Sequence, residues 1–283
     1  MASIPTPSNN TLIEKKVLTT KNKRILLTIY DTSDQINLYF GGYNNIYCLH
    51  ISLYKQTSPY AKIFDSTIGV LEHIYFNEEC SLDRNFKRGV DTNMLLQLGL
   101  KYIFDNYKYI KYLRFMDASF RKCDNNYTVN LYEMQYITTG KTWYENKYNA
   151  FIESKDQEET FRKAEIQFQS LKSQMDWSLM KQIMKVVPED DIIMKPIYDS
   201  SNTWQDFFGK LLDGMGVSNF CNFVSPWLAS FMMNYSKMQF TGTKYLMPIK
   251  NHNSNITYIT SNYKKGGSNA TRKRRTSTLK NYM

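Results

Sequence analysis

Nine consecutive residues, Arg84-Asn85-Phe86-Lys87-Arg88-Gly89-Val90-Asp91-Thr92, set three cations and a glycine before a helical pattern. Unpaired amides at a helix N-terminus, reinforced by the helix dipole, bind anions. Any chemistry the chain has is expected in the stretch from Gly69 to Phe151 that contains this turn. A second basic cluster, Arg272-Lys273-Arg274-Arg275, follows Gly266-Gly267. It can neutralise phosphates without reading a base sequence, although a solubilising tail has the same composition. Two further motifs carry less. Gly140-Lys141-Thr142 ends like a phosphate-binding loop, but Gln135 stands where the first glycine belongs and no strand leads directly in. Cys123-Asp124 offers a thiol nucleophile, for which a fold would have to supply His50 or His73.

The elements that must position these residues follow from periodicity. Residues 24–30, 35–40 and 47–54 are runs rich in Ile, Leu, Tyr and Phe, separated by Asp31-Thr32-Ser33-Asp34 and Gly41-Gly42-Tyr43-Asn44-Asn45. They read as three antiparallel strands joined by turns. A fourth strand spans 68–76. Leu95, Leu96, Leu100, Ile103 and Phe104 then recur at helical spacing, with Asp91 as the expected N-cap. Residues 112–117 form a fifth strand, and a strand-helix-strand unit of this length implies that the fourth and fifth strands run parallel, side by side. Residues 130–151 are loosely helical and interrupted by Gly140, which predicts two helical pieces or one bent helix.

From Glu153 the chain turns charged and helical. Ala164, Phe168, Leu171 and Met175 make an apolar face, and Asp156, Glu158 and Glu159 suit the positive end of the helix dipole. Pro188 is expected to end this pattern, residues 188–201 to be irregular, and 204–212 and 226–233 to form two short helices. Residues 1–20 and 251–283 lack apolar period and read as a flexible arm and a disordered basic tail.

The 283 residues, 42% hydrophobic, suffice for one large or two modest cores. The net charge of +10 is local: residues 264–283 hold seven of the 36 basic residues and none of the 26 acidic ones, leaving 29 against 26 elsewhere. Cys48, Cys80, Cys123 and Cys221 show neither a C-x-x-C pair nor a histidine at metal-ligand spacing. Reduced thiols in a cytosolic or nuclear compartment, and no metal, are the expectation. Residues 1–10 lack the apolar core of a signal peptide. The longest apolar run, 223–233, falls short of the roughly 18 residues a membrane span needs. A soluble, intracellular protein with no membrane partner is expected.

The order of four strands, helix, strand and helix resembles the GNAT acetyltransferase superfamily, and residues 68–151 carry the resemblance. In that family the turn after the fourth strand reads Gln or Arg, two residues, Gly, one residue, Gly or Ala. Taking Gly89 as the first glycine puts Phe86 and Asp91 at the flanking positions; taking it as the second puts Arg84 and Lys87 there. The resemblance implies that Lys87, Arg88, Gly89, Val90, Asp91 and Thr92 would hold the pyrophosphate of acetyl-coenzyme A. Trp143-Tyr144-Glu145-Asn146-Lys147 is similar to the family motif whose tyrosine protonates the departing thiolate, which makes Tyr144 the implied acid. Glu72, with His73 or Glu78 as substitutes, matches the implied general base on the fourth strand. The ordinary alternative is that Trp143 and Tyr144 fill a core and that Glu72 faces solvent.

High Lys, Asn, Ile and Tyr usage and the Gly-Gly with its basic run also resemble proteins of nucleocytoplasmic large DNA viruses. The expected fold class is α+β: a GNAT-like mixed, mostly antiparallel sheet with a strand-helix-strand unit, over residues 21–152, plus a helical C-terminal appendage at 153–250. Two functions are implied. One is a divergent viral acetyltransferase acting on an amine. The other is a non-enzymatic structural or virion-associated protein, with partners in a virion or viral factory and a tail for nucleic acid or another anion. The resemblance places either in host cytoplasm or nucleus, or in the virion.

Overall fold

A computed structural model describes residues 12–43, 46–57, 65–238, 240–249 and 256–263. The chain is mixed α+β and divides into two compact units, one of residues 1–110 with 253–283 and one of 111–252. The expected boundary at Glu153 falls inside the second.

In the first unit the expected strands are β2 (Arg24–Asp31), β3 (Gln35–Gly41), β4 (Tyr47–Tyr54) and β5 (Ile68–Ile74). With β1 (Leu12–Thr19) and β11 (Ile259–Asn262) they run β11-β1-β2-β3-β4-β5, antiparallel throughout. Register places Leu27 opposite Phe40, Phe40 opposite Leu49, Leu38 opposite Ile51 and Ile51 opposite Leu71. Side chains alternate across a strand, so these residues share one face, and all are buried. Helix α1 (Val90–Asn106) packs on that face with Leu95, Leu96, Leu98 and Gly99 buried.

Two expectations fail here. The presumed arm holds β1, because Leu18 is fully buried and both neighbours supply backbone partners, although Glu14, Lys15 and Lys16 mask the alternation. The presumed tail holds β11, whose four side chains are all exposed and which forms by backbone pairing with β1. Arg272, Lys273, Arg274 and Arg275 lie outside the described residues.

In the second unit three strands, β6 (Tyr112–Met116), β10 (Lys244–Pro248) and β9 (Phe151–Ile152), pair antiparallel in the order β6-β10-β9. A hairpin of β7 (Phe120–Lys122) and β8 (Thr128–Asn130) follows β6. Gly140, left-handed at φ 76°, separates α2 (Leu131–Thr139) from α3 (Trp143–Tyr148), as the sequence predicts. Helix α4 (Lys155–Gln174) buries Phe161, Ala164, Phe168 and Lys172 at three- and four-residue spacing.

Pro188 starts a helix instead of ending one. Asp176 caps α5 (Trp177–Met184), and Pro188 opens α6 (Pro188–Asp199), where a missing amide costs nothing because that amide has no intrahelical partner. The stretch expected to be irregular is therefore helical, its acids Glu189, Asp190 and Asp191 in the first turn. Helix α7 (Trp204–Val224) runs beyond the expected Leu212 with a break at Gly216, followed by α8 (Leu228–Phe231) and a π turn (Met232–Ser236). Trp204, Phe168, Phe208 and Phe231 are fully buried, their rings 5.3–6.3 Å apart.

The cysteines are not free. Cys48 bonds Cys80 and Cys123 bonds Cys221, with Cα atoms 5.7 and 5.6 Å apart. Sequence separations of 32 and 98 gave no local sign of either bridge. No helix among the described residues is long and apolar enough to cross a membrane.

Candidate functional site

The turn that opens α1 is fastened from several sides. Leu82 donates its amide to the Arg24 carbonyl at 2.8 Å, and Asp83 accepts from the Arg24 amide at 2.7 Å and its Nε at 2.9 Å. Buried Lys23 donates Nζ to the Asn85 carbonyl at 2.5 Å and side chain at 2.7 Å, and lies 3.1 Å from Asp91 Oδ2. The same oxygen of Asp91 accepts the Lys87 amide at 2.6 Å.

Asp91 is not the N-cap that periodicity predicts. Gly89 is, at φ 78°, and the helix begins at Val90 without a side-chain cap. The Asp91 carboxylate turns back onto the preceding turn. Three amides around the turn are already used: Phe86 donates to the Glu78 carbonyl, Val90 to Arg88 and Asp91 to Lys87. With the Lys87 amide, four donors here have partners within the chain, one of them the Asp91 carboxylate. Lys87 and Arg88 are exposed cations and Thr92 is half-buried.

Glu72 is exposed on β5, beside a register irregularity at His50 and Ile51. Glu78 is exposed in the following loop. His73 is half-buried, its ring 5.4 Å from His50, and burial lowers its pKa against the opposing charge of Glu72. His50 stacks on Tyr39 at 4.1 Å; Asn37 Oδ1 is 3.0 Å from His50 Nε2 and accepts the Ser52 hydroxyl at 2.9 Å. Burial, and then the His73 charge, lower the His50 pKa to about 4.

Tyr144 belongs to the second unit, on the short helix α3. A capping box fixes that helix: Thr142 accepts the Glu145 amide while Glu145 accepts the Thr142 amide. The Tyr144 ring packs 4.4 Å from Phe115 and 4.9 Å from Trp143. Burial above all, then the charge of Asp117, pushes its phenol far above the usual range. A phenol so raised stays protonated, as an acid must, but gives up that proton less readily than one tuned near neutral pH.

Around Tyr144 lies a polar group that sequence reasoning did not single out. Leu113, Phe115 and Asp117 share one face in and just beyond β6, and Tyr245 pairs directly with Phe115 from β10. Asp117 is buried, which raises its pKa, while the Ser119 hydroxyl at 2.6 Å and amide at 3.0 Å oppose the rise. The buried Tyr245 hydroxyl has no partner among the described residues. The period-two pattern of β6 is the signal that could have found Asp117.

The other motifs resolve structurally. Cys123 is bonded to Cys221, so it is no thiol nucleophile. Gly140 closes α2 and Thr142 caps α3, so the stretch between them forms a helix junction. No group of three His, Cys, Asp or Glu residues suited to a metal occurs among the described residues. Compared with family models, curated proteins and solved structures, the chain matches none.

Proposed function

We propose that this protein is non-enzymatic: a divergent, acetyltransferase-like fold that serves a viral assembly and engages a nucleic acid or other polyanion through its basic C-terminal segment. The observation that carries this reading is the Asp91 carboxylate, held by Lys23 Nζ at 3.1 Å and the Lys87 amide at 2.6 Å. A buried anion at that point repels the diphosphate of coenzyme A and takes a donor it would use. The location of seven uncompensated cations in residues 264–283 supports the polyanion partner.

One observation favours acetyl transfer. Gly89 is left-handed, and among the described residues other than its two chain neighbours no heavy atom lies within 4 Å of where its Cβ would stand, so a ligand could approach the turn. Calorimetric titration with acetyl-coenzyme A decides between the two. No heat of binding by the wild type is expected, and saturable binding would overturn the non-enzymatic reading. Binding by Asp91→Gly alone would mark a cofactor site closed by that carboxylate. For the tail, random-sequence duplex DNA should bind with a slope of log affinity against log salt of about −4 to −6. That binding should vanish on removal of 264–283; a retained, salt-insensitive affinity would exclude the tail as its source.

A further inference from the structure

Both disulfides are built into the interior. Cys48, Cys80 and Cys221 are fully buried and Cys123 is 4% exposed. Each bridge lies within one unit. Cys48 belongs to β4, and its carbonyl accepts the Tyr75 amide at 2.9 Å just after β5. Asn77 then turns the chain: the Cys80 amide donates to its carbonyl at 3.0 Å, and its own amide points at Cys80 Sγ at 3.1 Å.

The second bridge has similar support. Cys123 closes the β7-β8 loop, donating its amide to Tyr127 at 2.9 Å, while Asn126 takes φ 67°. Asn125 donates to the Asn222 carbonyl at 2.9 Å and to Ser225 Oγ at 3.1 Å, and Ser218 donates to Asp124 at 2.5 Å. These contacts seat the loop on α7 on both sides of Cys221. In each case polar contacts specific to the folded chain align the pair, and no cysteine is left over.

We infer that the mature form of this protein carries both disulfides, and that its chain is a substrate of a protein disulfide donor acting before folding is complete. Exchange proceeds by attack of a thiolate on an accessible sulfur. Sulfurs as buried as these cannot meet a protein-sized donor once the units have closed, so oxidation comes first. For each bridge a chain thiolate attacks the donor's disulfide and forms a mixed disulfide, expelling one donor thiolate. The second chain thiolate displaces the other donor sulfur. Two electrons and two protons pass from the chain's thiols to the donor, which leaves as a dithiol.

The test uses the full chain, reduced and unfolded, then refolded with oxidised protein disulfide isomerase as the donor. Free thiols are trapped with N-ethylmaleimide under denaturing conditions and the product is weighed. The expected product has no adduct, is four hydrogen masses lighter than the reduced chain, and yields linked peptides Cys48–Cys80 and Cys123–Cys221. Adding the donor only after the reduced chain has been refolded should slow oxidation at least tenfold. Any free thiol in the refolded product, any other pairing, or equal rates in the two orders of addition would overturn the inference. Cys48→Ala/Cys80→Ala separates misfolding from failed chemistry: it should still form Cys123–Cys221, and loss of that bridge would overturn the independence of the two sites.

Discussion

Asp91 shows how one carboxylate can decide the chemistry of a turn. Its partner Lys23 sits at the end of the β1-β2 turn, with the two side chains only 12% and 8% exposed. Removing one member of such a pair leaves the other buried and unpaired, a loss of about 3–5 kcal/mol, whereas replacing both with apolar groups is often near neutral. Asp91→Leu and Lys23→Met should each destabilise the fold by that amount, with the double variant much closer to wild type. Additive losses in urea unfolding would mean that the two side chains act separately. His50 gives a second prediction at this scale. Its imidazole faces Tyr39 from β3, His73 from β5, and the uncharged Asn37 and Ser52, while Tyr75, just after β5, and Glu72 lie beside His73. Among the described residues no carboxylate bonds the ring, and its pKa falls from 6.5 to about 4 on folding. The unfolded chain therefore binds the extra proton between these values, so stability is full above about pH 6.5 and is lost as pH falls toward 4. The loss is roughly 2–3 kcal/mol after allowance for partial exposure. His50→Asn should flatten the pH dependence of unfolding over that window, and an unchanged slope would assign it to other groups.

At the scale of elements, α1 and β4 meet through a glycine. A Cβ on Gly99 would lie 2.7 Å from Leu49 Cδ2, closer than packed carbons tolerate, and a tight 3.2 Å from Ile51 Cδ1. Gly99→Val should cost about 2 kcal/mol through overpacking, read as a lower thermal midpoint, with Leu49→Ala partly restoring it. A neutral Gly99→Val would show that the helix shifts freely on the sheet. Strands β2 to β5 and helix α1 were legible because their apolar residues recur at periods of two or near 3.6 over a full element. Strands β1 and β11 were not: three charged residues interrupt one and the other buries no side chain. Pairing between distant strands creates them, and no local window contains that information. Pro188 misled for another reason, since the same residue ends a helix from within and opens one from its first position. The site divides likewise. Tyr144 could be named from its motif, but its burial against Phe115 and the turned-back Asp91 carboxylate depend on side-chain directions that spacing leaves open.

Over the whole molecule, the two bridges provide separate handles on two units. In the chain-entropy account, a cross-link stabilises by restricting the unfolded chain and gains with loop length. Separations of 32 and 98 residues correspond to about 4 and about 5 kcal/mol respectively. All four tryptophans, Trp143, Trp177, Trp204 and Trp227, lie in the second unit, so their fluorescence follows that unit alone. Cys123→Ala/Cys221→Ala should lower the denaturant midpoint of the fluorescence transition. Cys48→Ala/Cys80→Ala should leave that transition in place and lower the midpoint of amide exchange for β2 to β5. Equal displacement of both signals by either pair would mean that the units unfold as one cooperative body. A larger loss from the 48–80 pair than from the 123–221 pair would mean that native-state packing around the sulfurs, not loop closure in the unfolded chain, sets what each bridge contributes.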